Sequence, residues 1–175
     1  MAVSDELLGP ILRKVSRAFS LSLRVLPAAV RPQISLAYLL ARITDTIADT
    51  DLVPPEKSAE KLRQFRARIR SAGAPPVDFS HLAREQNTET ERMLLQHSGE
   101  AIALLDQTDA ADRGKIQLVL ETITRGQEQD LILFGDGDQV RALETADDLD
   151  DYTYRVAGCV GEFWTHLTRA HCFPK

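Results

Sequence analysis

The feature that most constrains the fold of this chain is the stretch from Pro27 to Asp51, PAAVRPQISLAYLLARITDTIADTD. Pro27 and Pro32 are tolerated in a first helical turn, and the residues that follow are mostly apolar and compatible with a long helix. Four polar side chains fall on one face of that helix, because they are spaced by four, three and four residues: Tyr38, Arg42, Asp45 and Asp49. The stretch therefore predicts an apolar helix with one narrow polar stripe.

The stripe contains two carboxylates, Asp45 and Asp49, which lie one helical turn apart. Like charges at this spacing repel by about 0.2–0.5 kcal/mol on an exposed helix, and burial without partners costs more. Arg42 can neutralise one carboxylate, and the other favours a cation. Such pairs are common on solvated helices, but the surrounding residues are too apolar for a helix whose aspartates simply face water. We interpret the stripe as the lining of a cavity inside a helical protein.

Length and charge narrow the class of protein. The chain has 175 residues, which suits one domain, residues 1–175, with a sizeable core. The net charge of -5 argues against nucleic acid as the main partner. No uncharged apolar run reaches the length of a transmembrane helix, and the acidic N-terminus lacks the apolar core of a signal peptide. We expect a cytoplasmic protein with reduced thiols at Cys159 and Cys172, and peripheral association with a membrane stays open.

Helical periodicity extends over most of the chain, and no strand pattern or repeat is present. The predicted helices run from Ser4 to about Leu26, Pro27 to Asp51, Glu56 to about Ser71, Thr88 to Gln107, Ala110 to Phe134 and Thr145 to Cys172. In the third of these, Leu62, Phe65 and Ile69 are expected to face inward. Gly135 to Asp138 is interpreted as a turn, since the ligand series of a calcium loop does not continue there. The predicted fold class is all-α.

Three segments have both a structural and a functional interpretation. The residues from Val15 to Ser20 form either an ordinary helix end or an anion site, because hydroxyls and an Arg fork suit phosphate oxygens. Gly126 marks either an irregular turn or a close approach to a ligand, since a glycine inside a helix costs about 1 kcal/mol. Near the C-terminus, a notch on an apolar stripe admits either a neighbouring helix or a flat ligand, and it is formed by Ala157, Gly158 and Gly161.

Three motifs give the chain a resemblance to a known family. SRAFSLSLRVLP, LAYLLARITDTIADT and DYTYRVAGCVGEFW, in this order and at these separations, resemble the squalene/phytoene synthase family. Members of that family join two prenyl diphosphates head to head. The resemblance extends over essentially the whole chain and implies an all-α isoprenoid-synthase fold around a central cavity.

The resemblance also implies roles for individual residues. Asp45 and Asp49 match the first aspartate-rich motif, whose carboxylates hold Mg²⁺ ions that bridge to the substrate diphosphate, and both are expected to be catalytic together with Arg42. Mg²⁺ is usually held by one or two carboxylates plus substrate phosphates, which suits this pair. Ser16, Arg17 and Arg42 match positions that contact the diphosphate. The positions that match the lining of the prenyl pocket are Phe19, Tyr38, Tyr152, Val156, Val160 and Gly161.

The chain departs from the family pattern in two ways. Ala18 stands where many relatives carry a second serine, which weakens one expected diphosphate contact. The family also has a second aspartate-rich motif at a position beyond Lys175, so this sequence looks like the N-terminal part of such an enzyme. On that basis we expect the chain by itself to make no squalene. We also expect it to self-associate through its C-terminal helix, whose apolar face would be left exposed.

The middle of the aspartate motif, from Asp45 to Asp49, is closer to squalene synthases than to phytoene synthases. The resemblance therefore implies that two farnesyl diphosphates are converted to squalene through presqualene diphosphate, with Mg²⁺ and with NADPH as the reductant. Phytoene or dehydrosqualene synthase is the alternative within the same class. A catalytically inactive helical module that binds prenyl diphosphate is the alternative from another class.

Overall fold

The structure, a computed structural model, describes residues 7–16, 19–50, 52–134 and 142–173. Ten α-helices lie in these ranges, and no strand occurs in them: α1 (Leu12–Ser16), α2 (Phe19–Val25), α3 (Arg31–Ala48), α4 (Pro55–Arg70), α5 (Ser80–Glu85), α6 (Glu89–Gln96), α7 (Ser98–Gln107), α8 (Ala110–Phe134), α9 (Ala146–Thr153) and α10 (Cys159–Cys172). Two π-helical turns, Leu7–Ile11 and Tyr154–Gly158, precede α1 and α10. The expectations for Ser4, for Arg17 and Ala18, and for Gly135 to Asp138 lie outside the described residues.

Helix α3 lies at the centre of the fold, as the apolar stretch predicts. It begins at Arg31 with Pro32 in its first turn, and it packs against α4, α6, α7 and α8. Residues all around the helix are buried: Ile34, Ser35, Leu36, Ala37, Leu39, Leu40, Ile43, Thr44, Thr46 and Ile47. A helix that is apolar on nearly every side is stable only inside a core. The all-α prediction is confirmed.

The long helix α8 forms the second layer, because it packs against α3, α4, α10 and the π-helical turn Tyr154–Gly158. Its bounds agree with the prediction from Ala110 to Phe134. Helix α4 covers α3 and α8 with one apolar face, and Leu62, Phe65 and Ile69 are buried there as predicted. None of the helices in the described ranges is long and apolar enough to cross a membrane.

Two predicted helices are interrupted, and one short helix is additional. The helix predicted from Thr88 to Gln107 divides into α6 and α7 at His97, where Ser98 Oγ donates to the Leu95 carbonyl oxygen at 2.7 Å and so competes with the helical bonds. The helix predicted from Thr145 starts with the expected cap, a reciprocal pair with Asp148, but contains the π-helical turn before α10. Helix α5 lies between the predicted helices that end at about Ser71 and begin at Thr88.

Candidate functional site

The candidate site is built around Asp45, near the C-terminal end of α3. Its Oδ2 accepts a hydrogen bond from Arg42 Nη1 at 2.9 Å, so the expected neutralisation by the arginine one turn upstream is present. Its Oδ1 accepts from Gln127 Nε2 of α8 at 2.6 Å. Burial raises the pKa of Asp45, and the charge and hydrogen bond of Arg42 and the amide of Gln127 oppose that rise. The ionised carboxylate is thus held in place from two helices.

Gln127 is the site residue that the sequence did not identify by itself. It lies in the polar interruption of α8, next to Gly126, and is buried. A polar side chain on the buried side of a helix needs a partner, because an unpaired buried polar group costs about 1–3 kcal/mol. The partner, Asp45, is 82 positions away in sequence. The sequence from Ile123 to Leu131 interrupts the apolar pattern of the helix, and Gly126 to Leu131 resembles a family segment that flanks the cavity, but only the fold identifies the contact with Asp45.

Asp49 completes the carboxylate pair from the end of the same helix. It is the C-cap residue of α3, and its backbone N–H donates to the Asp45 carbonyl oxygen at 2.7 Å. The C-terminal end of a helix carries partial negative charge, so two carboxylates there favour a nearby cation. A pair of aspartates one turn apart fits Mg²⁺, which takes the rest of its shell from water and phosphate. No group of three metal-ligating side chains comes together within the described part of the chain.

An apolar pocket lies between α3, α8, α10 and the start of α2. Its volume is about 100 Å³, and it is lined by Phe19, Ile34, Ala37, Tyr38, Ala41, Val119, Ile123, Val160, Phe163 and Trp164. Phe19 and Tyr38 stack there, with ring centroids 4.5 Å apart. Burial raises the pKa of the Tyr38 hydroxyl, which therefore stays protonated. The pocket presents aromatic faces, and its lining is almost wholly apolar.

A polar cavity of about 330 Å³ lies on the other side of Tyr38. It is lined by Lys14, Val15, Ser16, Tyr38, Arg42, Thr88, Thr90, Glu91 and Leu94. Ser16 is buried, and its Oγ donates to the Leu12 carbonyl oxygen at 2.5 Å. Tyr38 thus borders both an apolar pocket and a cavity that contains Lys14 and Arg42. Such a pair of cavities suits a ligand with an apolar chain and an anionic head.

The structure brings together some of the residues expected at the site and separates others. Ser16, Phe19, Tyr38, Arg42 and Val160 line one or both cavities. Arg17 lies outside the described residues. The other three expected pocket residues, which line neither cavity, are Tyr152, Val156 and Gly161.

These three residues lie in α9, in the π-helical turn Tyr154–Gly158 and in α10. Tyr152 packs edge-on against Phe134, with ring centroids 6.4 Å apart and near Asp130, whose pKa is raised by burial. Val156 packs against Gly126. Gly161 is exposed, and a Cβ at this position would meet no atom within 4 Å. The pocket roles of these residues stay predictions.

Gly126 and Gly161 form a matched pair for a test of packing. A Cβ on Gly126 would lie 3.1 Å from Arg155 Cβ and 3.3 Å from Val156 Cγ1, whereas Gly161 faces open space. We expect Gly161→Ala to raise the free energy of unfolding by up to about 1 kcal/mol through helix propensity. Gly126→Ala is expected to be about 1–2 kcal/mol less stable than Gly161→Ala, because the alanine crowds the π-helical turn. Urea denaturation measures both, and equal changes would contradict the close approach.

Comparison with solved structures defines the class of fold. A structure described as the complex of TcSQS with the ligand E5700 superposes with a TM-score of 0.75 at 24% identity, over 97% of this chain and 45% of that chain. The architecture is therefore the all-α isoprenoid-synthase fold.

Sequence comparison then defines the family. A model of the squalene/phytoene synthase family matches residues 12–174, and the chain therefore belongs to that family. The squalene synthase of Eremothecium gossypii is 26% identical over 90% of this chain and 34% of its own length. The bifunctional lycopene cyclase/phytoene synthase of Sporisorium reilianum is 25% identical over 93% of this chain and 25% of its own length. The chain spans about a third of the length of the curated squalene synthases that it matches.

Proposed function

We propose that this chain supplies the first aspartate motif and the pocket of an enzyme that joins two farnesyl diphosphates head to head, giving presqualene diphosphate and then squalene. One observation carries the proposal: Tyr38 lines both an apolar pocket and a polar cavity that contains Arg42, and Arg42 pairs with Asp45. A prenyl diphosphate has the same division into an apolar chain and an anionic head. The squalene synthase relatives favour farnesyl as the chain.

In this proposal each side chain has a defined task. Arg42 and Ser16 bind diphosphate oxygens in the polar cavity, while Asp45 and Asp49 hold Mg²⁺. The metal, when bound, neutralises the charge that develops on the leaving diphosphate. Phe19 and Tyr38 present π faces to the positive charge that the departing diphosphate leaves on the prenyl chain, and the apolar lining keeps water away from it. NADPH is the proposed hydride donor for the reductive step, and we place no residue of this chain in that step.

Two alternative functions predict different experimental results. A phytoene synthase is favoured by the relative from Sporisorium reilianum and would prefer the longer geranylgeranyl chain. A helical module that only binds prenyl diphosphate would bind without releasing diphosphate. Both alternatives would use the same cavities and the same carboxylate pair. They are distinguished by which prenyl chain binds more tightly and by whether diphosphate is released.

Calorimetric titration with farnesyl thiodiphosphate, which resists cleavage, tests the proposal. We expect Mg²⁺ to tighten binding at least about tenfold, because Asp45 and Asp49 would hold the metal and its charge would attract the ligand phosphates. Farnesyl is expected to bind more tightly than geranylgeranyl. Binding that is indifferent to Mg²⁺ would contradict the metal assignment, and a preference for geranylgeranyl would favour the phytoene alternative. Release of diphosphate from farnesyl diphosphate would separate an enzyme from a module that only binds.

A further inference from the structure

Although the net charge of the chain is negative, basic and acidic residues are distributed unevenly along the sequence. From Leu7 to Thr44 there are six basic residues and no acidic one, although the whole chain has a net charge of -5. Arg42 pairs with Asp45 at the candidate site. Most of the others belong to the first helices, so positive charge is concentrated at one corner of the fold.

Three arginines of this corner border a single cavity. The cavity measures about 220 Å³ and is lined by Leu8, Gly9, Leu12, Arg13, Ser20, Leu23, Arg24, Arg31 and Ser35. Arg31 is held over the turn between α2 and α3, because its Nε and Nη2 donate to the Leu26 carbonyl oxygen at 3.1 and 2.6 Å. Arg13 and Arg24 have no hydrogen bond or ion pair with any residue in the described ranges. None of the described residues that line the cavity is a carboxylate, so this part of the lining is positively charged.

Large apolar side chains are exposed beside these arginines. Leu21 is 63% exposed and Val25 is 83% exposed, and both lie on one face of α2 because they are four residues apart. Arg24 is next to Val25 on the same side, whereas Leu23 is buried against the core. Exposed apolar side chains beside Arg are typical of helices that lie in the boundary between lipid headgroups and acyl chains.

We propose that α1, α2 and the start of α3 form a surface that docks on anionic lipid bilayers, with Leu21 and Val25 entering the headgroup layer. The cavity between Arg13, Arg24 and Arg31 receives a lipid phosphate, since guanidinium groups suit phosphate oxygens. Because the arginines of this surface are positively charged, we expect it to bind anionic lipid and not neutral lipid. Phe19, the first residue of α2, lines the apolar pocket, so the docked helix would connect that pocket with the bilayer.

Vesicle flotation of the 175-residue chain tests the proposal, because bound protein rises with the vesicles while self-associated protein does not. Vesicles of phosphatidylcholine are compared with equal mixtures of phosphatidylcholine and phosphatidylglycerol, in the absence of prenyl substrate. We expect flotation only with the anionic vesicles and weaker flotation as salt rises. The result does not depend on whether the proposed reaction takes place. Absence of flotation with anionic vesicles, or equal flotation with both kinds, would overturn the proposal.

Matched variants locate the surface. Replacing Arg13 and Arg24 by glutamine is expected to weaken partitioning about 30-fold, at about fivefold for each basic residue near an anionic surface. Replacing Leu21 and Val25 by serine, which leaves the core intact, is expected to weaken it about tenfold. The control replaces Arg70 and Arg84 by glutamine, since both are exposed, removes the same charge and lines no part of this cavity.

Each outcome of the variants is decisive. Unchanged flotation of the control together with loss in the Arg13 and Arg24 variant supports the proposal. Equal loss in both arginine pairs would mean a general charge effect and would overturn it. Release of the wild-type chain by inorganic diphosphate at constant ionic strength would identify a soluble anion as the ligand of the cavity and would also overturn the lipid assignment.

Discussion

Asparagine in place of Asp45 is expected to weaken the Mg²⁺-dependent binding of farnesyl thiodiphosphate by about 100-fold, equivalent to about 2.7 kcal/mol. Asparagine keeps the shape of the side chain and can still accept the hydrogen bond from Gln127. It lacks the negative charge that attracts the cation and that pairs with Arg42. The loss should appear only when Mg²⁺ is present. Calorimetric titration with and without the metal measures it.

The same substitution should leave the fold intact, which separates a binding defect from unfolding. Burial raises the pKa of Asp45, so its ionised form is disfavoured in the folded protein. The stability that this group contributes is present below its ordinary pKa of 3.8 and is lost as pH rises through the raised value. At neutral pH, asparagine removes that cost, and we expect a change in unfolding free energy within about 0.5 kcal/mol.

A matched control for the charge is Asp106→Asn on α7. Asp106 pairs with Arg68 and lines neither of the two site cavities, so its replacement should leave Mg²⁺-dependent binding unchanged. Asp49→Asn should weaken binding in the same way as Asp45→Asn. If both site variants bind the ligand as tightly as the wild type in the presence of Mg²⁺, the carboxylates do not hold the metal.

The periodicity of the apolar residues was sufficient to predict the helical architecture, because the buried face of a helix repeats every three or four residues. The central helix α3, the inward face of α4 and the bounds of α8 are all confirmed. Interruptions were not predictable in the same way. The break at His97 and the π-helical turn Tyr154–Gly158 depend on local hydrogen bonding and on packing against α8, which an apolar stripe does not encode.

The candidate site was predictable where its residues share one helix. The spacing of Arg42 and Asp45 places them one turn apart, and the ion pair is present. Gln127 reaches Asp45 from another helix, and no local pattern links two positions so far apart in sequence. The pocket role of Gly161 came from the family resemblance and stays a prediction, since a Cβ at this position would meet no atom within 4 Å among the described residues.

The largest effect on stability is expected at Asp112, in the first turn of α8. Its side chain is only 2% exposed and accepts hydrogen bonds from Gln33 of α3 and from Lys115, while His171 of α10 lies 2.7 Å away. Burial alone would raise the pKa of Asp112, but the hydrogen bonds from His171, Lys115 and Gln33 outweigh it and lower the pKa to about 2. The carboxylate thus joins three helices while ionised.

Asp112→Asn should therefore lower the unfolding free energy by about 2 kcal/mol at neutral pH, the equivalent of the drop in pKa from 3.8 to about 2. Asp112→Ala should lower it by about 3 kcal/mol, because its partners also lose their acceptor. A lowered folded pKa gives stability that is present above 3.8 and is lost as pH falls towards 2. The difference between the wild type and the asparagine variant should shrink over that interval.

Urea denaturation over a pH series measures this dependence, with Asp147→Asn as the control. Asp147 is exposed in the first turn of α9, so its loss should cost no more than about 0.5 kcal/mol. Because Asp112 joins α10 to α3, its replacement should also loosen the wall of the apolar pocket that Val160 and Phe163 provide. Weaker farnesyl thiodiphosphate binding, of similar size with and without Mg²⁺, would show that this buried carboxylate supports the pocket through the fold, whereas Asp45 acts through the metal.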